Sequence, residues 1–514
     1  MSHRLKKILL LLLAAALLAG ASQVQKSLNR DRKQLELTHM EPLKNAPPLL
    51  AFTTVALGGF RGLISNFLWI RANNLQQEDK FFEAVQLANW ITDLEPHFAQ
   101  VWAYQAWNMA WNISVKFNDF NDRWRWVQRG IELLRDDALR YNPDDTLIYF
   151  NLSWIFQSKM GQNTDDANQY YKVQWAGEMM PFFGPNGTNL DELINPQTSE
   201  AKARAELLRE KYKIDPVFAK KVDDEWGILD WRVPEAHAIY WAALGLEKAK
   251  ENPTKVDPSN STRLRRVIYQ SLLQAFYHGR LVINPFDKTY ELYPNLDLVS
   301  RVNDAYETMY AEEPDAGQRD GIQTAQRNFL GEAVYFLYED NRIAEASKWF
   351  RYLCQKYPDK SVVGGPDIPP SQMTLDQFAI TFVQEDVGDT SQDRTTAAVE
   401  GLLTRAYYAL AIGDDDRYAG FRLIASKIYE RYQTKIASHQ GQQRTGLPPF
   451  ADINRMALNQ LLDPKQGMPF AARAVIRTQL GLPAESNLPP ASAISTNAQP
   501  NISTGTNTAI VPGK

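Results

Sequence analysis

The sequence predicts an all-α fold: a solenoid of stacked helical hairpins with an irregular central insertion. Three observations carry this expectation. Two stretches, FLWIRANNLQQEDKFFEAVQLANWITDLEP and NFLGEAVYFLYEDNRIAEASKWFRYLCQKYP, follow one hairpin template and stop at Pro96 and Pro358. In each, an alanine (Ala84 or Ala346) stands at the same offset before the proline, where two packed helices must approach closely. No alternating apolar–polar run of useful length marks a strand.

Composition narrows the class. Apolar residues make up 44% and charged ones 23% of the 514 residues, ordinary for a globular chain and sufficient for one large solenoid or several domains. A formal net charge of −4 gives no electrostatic case for nucleic acid as a partner. The single cysteine, Cys354, allows no intrachain disulfide and sits on an apolar helix face as a packed, inert thiol.

The N-terminus joins a basic MSHRLKK to the apolar run 8–21, with the small triplet Ala19-Gly20-Ala21 before Ser22, a secretory signal pattern. The run is shorter than the about 17–20 residues of a spanning helix. Extension to Val24 makes an uncleaved anchor, with Arg4, Lys6 and Lys7 on the cytoplasmic side. Residues 1–24 therefore read as a signal peptide or a signal anchor, and 25–47 as a polar tether. Five N-x-[ST] sites occur, but Asn112 and Asn151 lie in aromatic-rich helical runs where a glycan would block packing. A bacterial envelope location fits better: the periplasm or the periplasmic face of the inner membrane.

Residues 48–160 hold the first hairpins. The apolar run 48–72 carries Arg61 near its centre, where a charge costs about 2.5–3.5 kcal/mol in a bilayer. Phe60, Ile64, Phe67 and Leu68 recur at helical spacing, predicting a buried first helix instead. The next pair, from Pro96 to Pro143, is longer than a simple repeat of about 34 residues by roughly 13. Residues 161–260 break the pattern with an irregular Trp-rich insertion, in which a helix around YYKVQWAGEMM is expected to end at the loop Pro181-Phe182-Phe183-Gly184-Pro185. Hairpins resume over 261–360. A C-terminal helical set fills 361–482, with a capping box at Thr374 and Gln377 and a turn at Gly413-Asp414-Asp415-Asp416. Residues 483–514 lack aromatics and read as a disordered tail.

The hairpin ending at Pro358 is similar to a tetratricopeptide repeat: Leu330, Ala333, Val334 and Leu337 fill its first helix, and Ala346, Phe350, Leu353 and Pro358 its second. The Pro96 hairpin resembles it through Leu68, Ala72, Leu75, Ala84, Ile91 and Pro96, with Ala88 where an aromatic is usual. The Pro143 pair is degenerate, with Ile131 at the small position. The resemblance implies a right-handed superhelix whose concave face holds a peptide or a protein helix, and no enzyme.

Candidate contacts with a partner or ligand are Trp102, Trp107, Trp226, Trp231, Arg232 and Glu235. Asp223, Asp224, Glu225, Trp226, Asp230, Trp231, Arg232, Glu235 and His237 mix acids with indoles, as a sugar-cleaving cleft does, with Glu225 or Glu235 as acid. The competing reading is a helix junction in which Arg232 pairs locally and Pro234 starts a helix. All tryptophans but Trp349 precede residue 242, and Trp102, Trp107 and Trp111 either anchor a partner or fill the core. A Trp-rich pocket for a small apolar ligand is a third reading. The six scattered histidines offer no metal pair, and no phosphate, nucleophile-elbow or dinucleotide motif occurs, so no catalytic residue, metal or cofactor is expected. The expectation is an exported, membrane-associated scaffold binding protein components of an assembly, secretion or surface-structure complex. A peptidoglycan- or carbohydrate-active protein is the alternative.

Overall fold

Helices follow one another along the chain, several of them opened by a side-chain cap, in the computed structural model. It describes residues 60–485 except 254–256, 287, 363–367, 384–391 and 439–446, and scattered helical positions between 16 and 31. The expected signal or anchor, tether and tail, and the side chains of Phe60 and Ile64, fall wholly or mostly outside those residues. Among the described residues no helix is long and apolar enough to cross a membrane.

Helices α1 (Phe60–Gln77) and α2 (Phe81–Leu94) form the first pair. Asp79, at φ +58°, reverses the chain between them, and Lys80 N–H donates to Leu75 O at 2.8 Å. Ala72, Ala84 and Ala88 are fully buried, so the absence of bulk lets the two backbones close. Leu68 packs half-buried on Ala88, Ile91 and Val101. The outer side of α1 departs from expectation: Phe67 is 70% exposed and Ile70 61%. The packed side of α1 is instead that of Leu68, Trp69, Ala72 and Leu75.

Helix α3 (Ala99–Trp107) runs into a π turn, Asn108–Ile113, and α4 (Phe120–Glu132) into a second, Leu133–Ala138. Asp119 caps α4 by accepting from Asn121 N at 2.8 Å and Asp122 N at 3.1 Å. Such turns absorb an extra residue each and rotate the register of the helical turns beyond them. The small residue at this crossing is accordingly Gly130, not Ile131: a Cβ there would stand 3.0 Å from Ala106 O. The Pro96 carbonyl ties the first pair to the second, accepting from Trp102 Nε1 at 2.9 Å and Asn142 Nδ2 at 2.8 Å.

Helix α5 (Thr146–Trp154), with a third π turn at Ile155–Gly161, packs directly against α9 (Pro234–Glu251). Within 161–260, α9 thus joins the helices that precede and follow that stretch. Between them lie α6 (Asn168–Phe183), α7 (Ser199–Lys211) and α8 (Pro216–Trp226). α6 continues through Pro181 instead of stopping there. α10 (Pro258–His278) pairs with α9. Next comes an element absent from the sequence reading, an antiparallel ribbon of β1 (Arg280–Ile283) and β2 (Tyr290–Tyr293) in the register Leu281↔Leu292.

Helices α11 (Val299–Glu312), α12 (Ala316–Glu339) and α13 (Ile343–Lys356) pack in sequence, the last two as a pair around buried Leu330, Ala333, Ala346 and Phe350. Pro358 lies just beyond this pair and is exposed, so it stops the helix without packing; its carbonyl accepts from Ser371 Oγ at 2.5 Å. The capping box forms reciprocally at the start of α14 (Leu375–Val383): Thr374 N donates to Gln377 Oε1 at 2.9 Å, and Gln377 N to Thr374 Oγ1 at 3.2 Å. α15 (Gln392–Ile412) and α16 (Asp415–Ser438) form a pair turning at Gly413, and α17 (Phe450–Leu461) and α18 (Phe470–Gln479) cover α15. The described chain is all-α apart from the ribbon, and one continuous core runs from Ala99 to Ala457.

Candidate functional site

Residues 223–237 link α8 to α9, and the cluster singled out from sequence turns inward. Asp223, in the last turn of α8, accepts from Leu229 N at 3.2 Å and Trp231 Nε1 at 3.3 Å. Burial pushes its carboxyl up to about 7 against those donors. Asp230 and Arg232 form a two-point ion pair, Nε to Oδ1 at 2.8 Å and Nη2 to Oδ2 at 2.6 Å. The same guanidinium donates to the Leu281 carbonyl at 2.6 Å and to the Pro185 carbonyl, while Leu281 N donates to Asp230 Oδ2 at 2.9 Å. Gly187, at φ +74°, lets the 184–187 turn press onto the pair, where a Cβ would overlap Asp230. The pair thus occupies the outer edge of β1 at Leu281, where another strand would otherwise bond.

Pro234 opens α9, and its first turns carry Glu235 and His237 into the core. Glu235 is 1% exposed; burial raises its carboxyl and lowers the buried Lys172 ammonium, each group offsetting part of the other's cost. His237 is held down at about 4 by burial. Its ring is therefore neutral, and Nε2 donates to Trp231 O at 2.9 Å. Trp175 meets it edge-on at 4.8 Å and Phe156 stacks at 5.5 Å.

The sequence candidates therefore separate. Trp231, Arg232 and Glu235 are interior and present no surface to a partner macromolecule. Trp102 is also core, stacked on Tyr141 at 6.1 Å. Trp107 and Trp226 remain half-buried. Trp226 borders a shallow groove with Glu225, Lys221, Glu247 and Lys250, in which Lys221 and Lys250 both pair with Glu247, at 3.1 and 3.3 Å. Glu225 is exposed while Asp223 and Glu235 are interior, so the acids do not converge on one cleft. Among the described residues no group of three or more potential ligands is placed to hold a metal.

Two arrangements escaped the sequence reading. Arg123 and Lys159 both bind Asp165 in the interior, Arg123 at 2.6 Å, with Tyr171 Oη donating to the same carboxylate at 3.4 Å. A ladder of rings also joins three elements: Trp111 stacks on Trp154 at 4.6 Å, Trp154 on Phe150 at 6.3 Å, and Arg263 covers Phe150 at 5.6 Å. Lys159 stands 6.0 Å over Trp111 at the other end. Lys159 in the apolar run IFQSKM was the available clue, since a lysine inside a buried helix needs a partner. No family model matches this sequence, and no curated protein or solved structure is significantly similar to it.

Proposed function

We propose that the chain is a non-enzymatic interaction scaffold, a tetratricopeptide-like α-solenoid exported to the bacterial envelope, which organises protein components of an assembly, secretion or surface-structure complex. One observation carries the reading: consecutive helices pair, α1 with α2, α9 with α10, α12 with α13 and α15 with α16, and small residues such as Ala72, Ala84, Gly130 and Ala346 sit buried at crossings, as in repeat proteins that present long binding surfaces. The basic and apolar start of the sequence supports export. The 223–237 cluster weighs against the sugar-cleaving alternative, because Asp223 and Asp230 are spent on intrachain bonds and Glu235 is interior while Glu225 is exposed, so no two of its acids face one cleft. Affinity capture of the tagged chain from solubilised membranes, with reciprocal capture by each recovered protein, tests the proposal. Repeated recovery of no protein partner sinks it.

A further inference from the structure

Three rings from separate segments meet at the surface near the start of α2. Phe82 lies 5.6 Å from Trp126 of α4 and 6.4 Å from Phe117 of the connector before α4, and Phe117 lies 6.3 Å from Trp126. Phe82 is 53% exposed, and Val115 and Phe120 beside Phe117 in sequence are exposed too. Trp126 packs against the core, so the cluster is seated on a rigid base. Exposed rings held this way are what binding hot spots use.

The charges around the cluster say what would cover it. Lys80 and Arg71 are paired with Glu78, at 2.7 and 4.0 Å, Lys116 with Asp79 at 3.9 Å and Arg125 with Asp122 at 3.1 Å. Glu83 and Asp119 have no cation within 4 Å among the described residues, which leaves the rim negative. A second copy would bring two negative rims together, a repulsive arrangement. We infer that this surface docks a cationic amphipathic segment of a partner protein, whose apolar side chain lodges against Phe82 and Trp126 while its lysines or arginines meet Glu83 and Asp119. The inference rests on the scaffold reading and deepens it.

The test uses the full chain and a short fluorescein-labelled amphipathic peptide of Leu, Phe and Lys, with a counterpart in which Glu replaces every Lys. The Lys peptide should bind about tenfold tighter than the Glu peptide, and Phe82→Ser should weaken it by about tenfold. Glu83→Lys should narrow the preference between the two peptides, and added salt should do the same. Far-UV circular dichroism confirms that both surface variants fold. Equal binding of the two peptides overturns the inference, as does indifference to Phe82→Ser, or a concentration-dependent dimer that Phe82→Ser abolishes. If partners captured from membranes stay bound to the Phe82→Ser chain, the scaffold stands and this docking point falls. If nothing is captured from membranes, the scaffold reading fails whatever the peptides do.

Discussion

Replacing Arg232 with Met removes the guanidinium and leaves the Asp230 carboxylate buried beside two bare carbonyls, those of Pro185 and Leu281. Deleting one partner of a buried ion pair costs about 3–5 kcal/mol. Asp230 would keep two backbone donors, Leu281 N at 2.9 Å and its own Arg232 N at 3.0 Å, which pulls the figure down. The orphaned carbonyls push it back up by about 1–3 kcal/mol. The net expectation is a loss of about 3–5 kcal/mol. Urea unfolding at unchanged slope measures it, and faster exchange of the Leu281 amide places it. Combining Asp230→Leu with Arg232→Met should recover about 1–3 kcal/mol, because no unpaired charge is then buried. A single variant within about 1 kcal/mol of the parent, or a double variant less stable than the single, would refute the reasoning.

Acid should act on His237 and Asp223 in opposite senses. The imidazole, held near 4 when folded and near 6.5 when free, binds fewer protons than the unfolded chain between those values, so stability falls as pH drops from 6.5 to 4. Asp223, raised to about 7 from 3.8, holds extra protons when folded, so its term falls as pH rises across that window. Asp223→Asn should therefore steepen acid denaturation below pH 6.5, and His237→Gln should flatten it, both read from urea midpoints at several pH values. Gly130→Leu should cost at least about 1–3 kcal/mol by forcing α4 off the Ala106 carbonyl, measured as a lowered Tm. Trp154→Ala removes the middle rung between Trp111 and Phe150 and should cost about 2–4 kcal/mol in the same assay. Thr374→Ala should cost about 1 kcal/mol and fray α14 alone, visible as exchange at the Gln377 amide.

Features written in local chemistry were legible from the sequence. Thr374 and Gln377 cap each other as their spacing requires, Gly413 turns the α15–α16 pair, and Pro234 opens α9 where a missing N–H does no harm. Features that depend on register or on distant partners slipped past. The π turns shift the phase of α3 and α4, so counting at ordinary helical spacing picked Ile131 when Gly130 makes the crossing. Phe67 has the spacing of a core residue, but nothing in a local pattern says whether a helix lies beyond it. The strands RLVI and YELY are too short for alternation to register, and one edge is completed by Asp230 and Arg232 from far away in sequence. Within the candidate site, local pairing of Arg232 and the helix start at Pro234 were readable, while the burial of Glu235 beside Lys172 needed α6 in place.

The stretch between α5 and α9 departs and returns at neighbouring points: a side chain on Gly161 would meet the Glu235 carboxylate at 3.3 Å. The helices on either side already touch, so 162–233 behaves as a graft sewn into a closed seam. It is nevertheless bound into the framework by Asp165, which holds Arg123 and Lys159, and by the Asp230–Arg232 pair on β1, so only its exposed turns can vary in length at little mechanical risk.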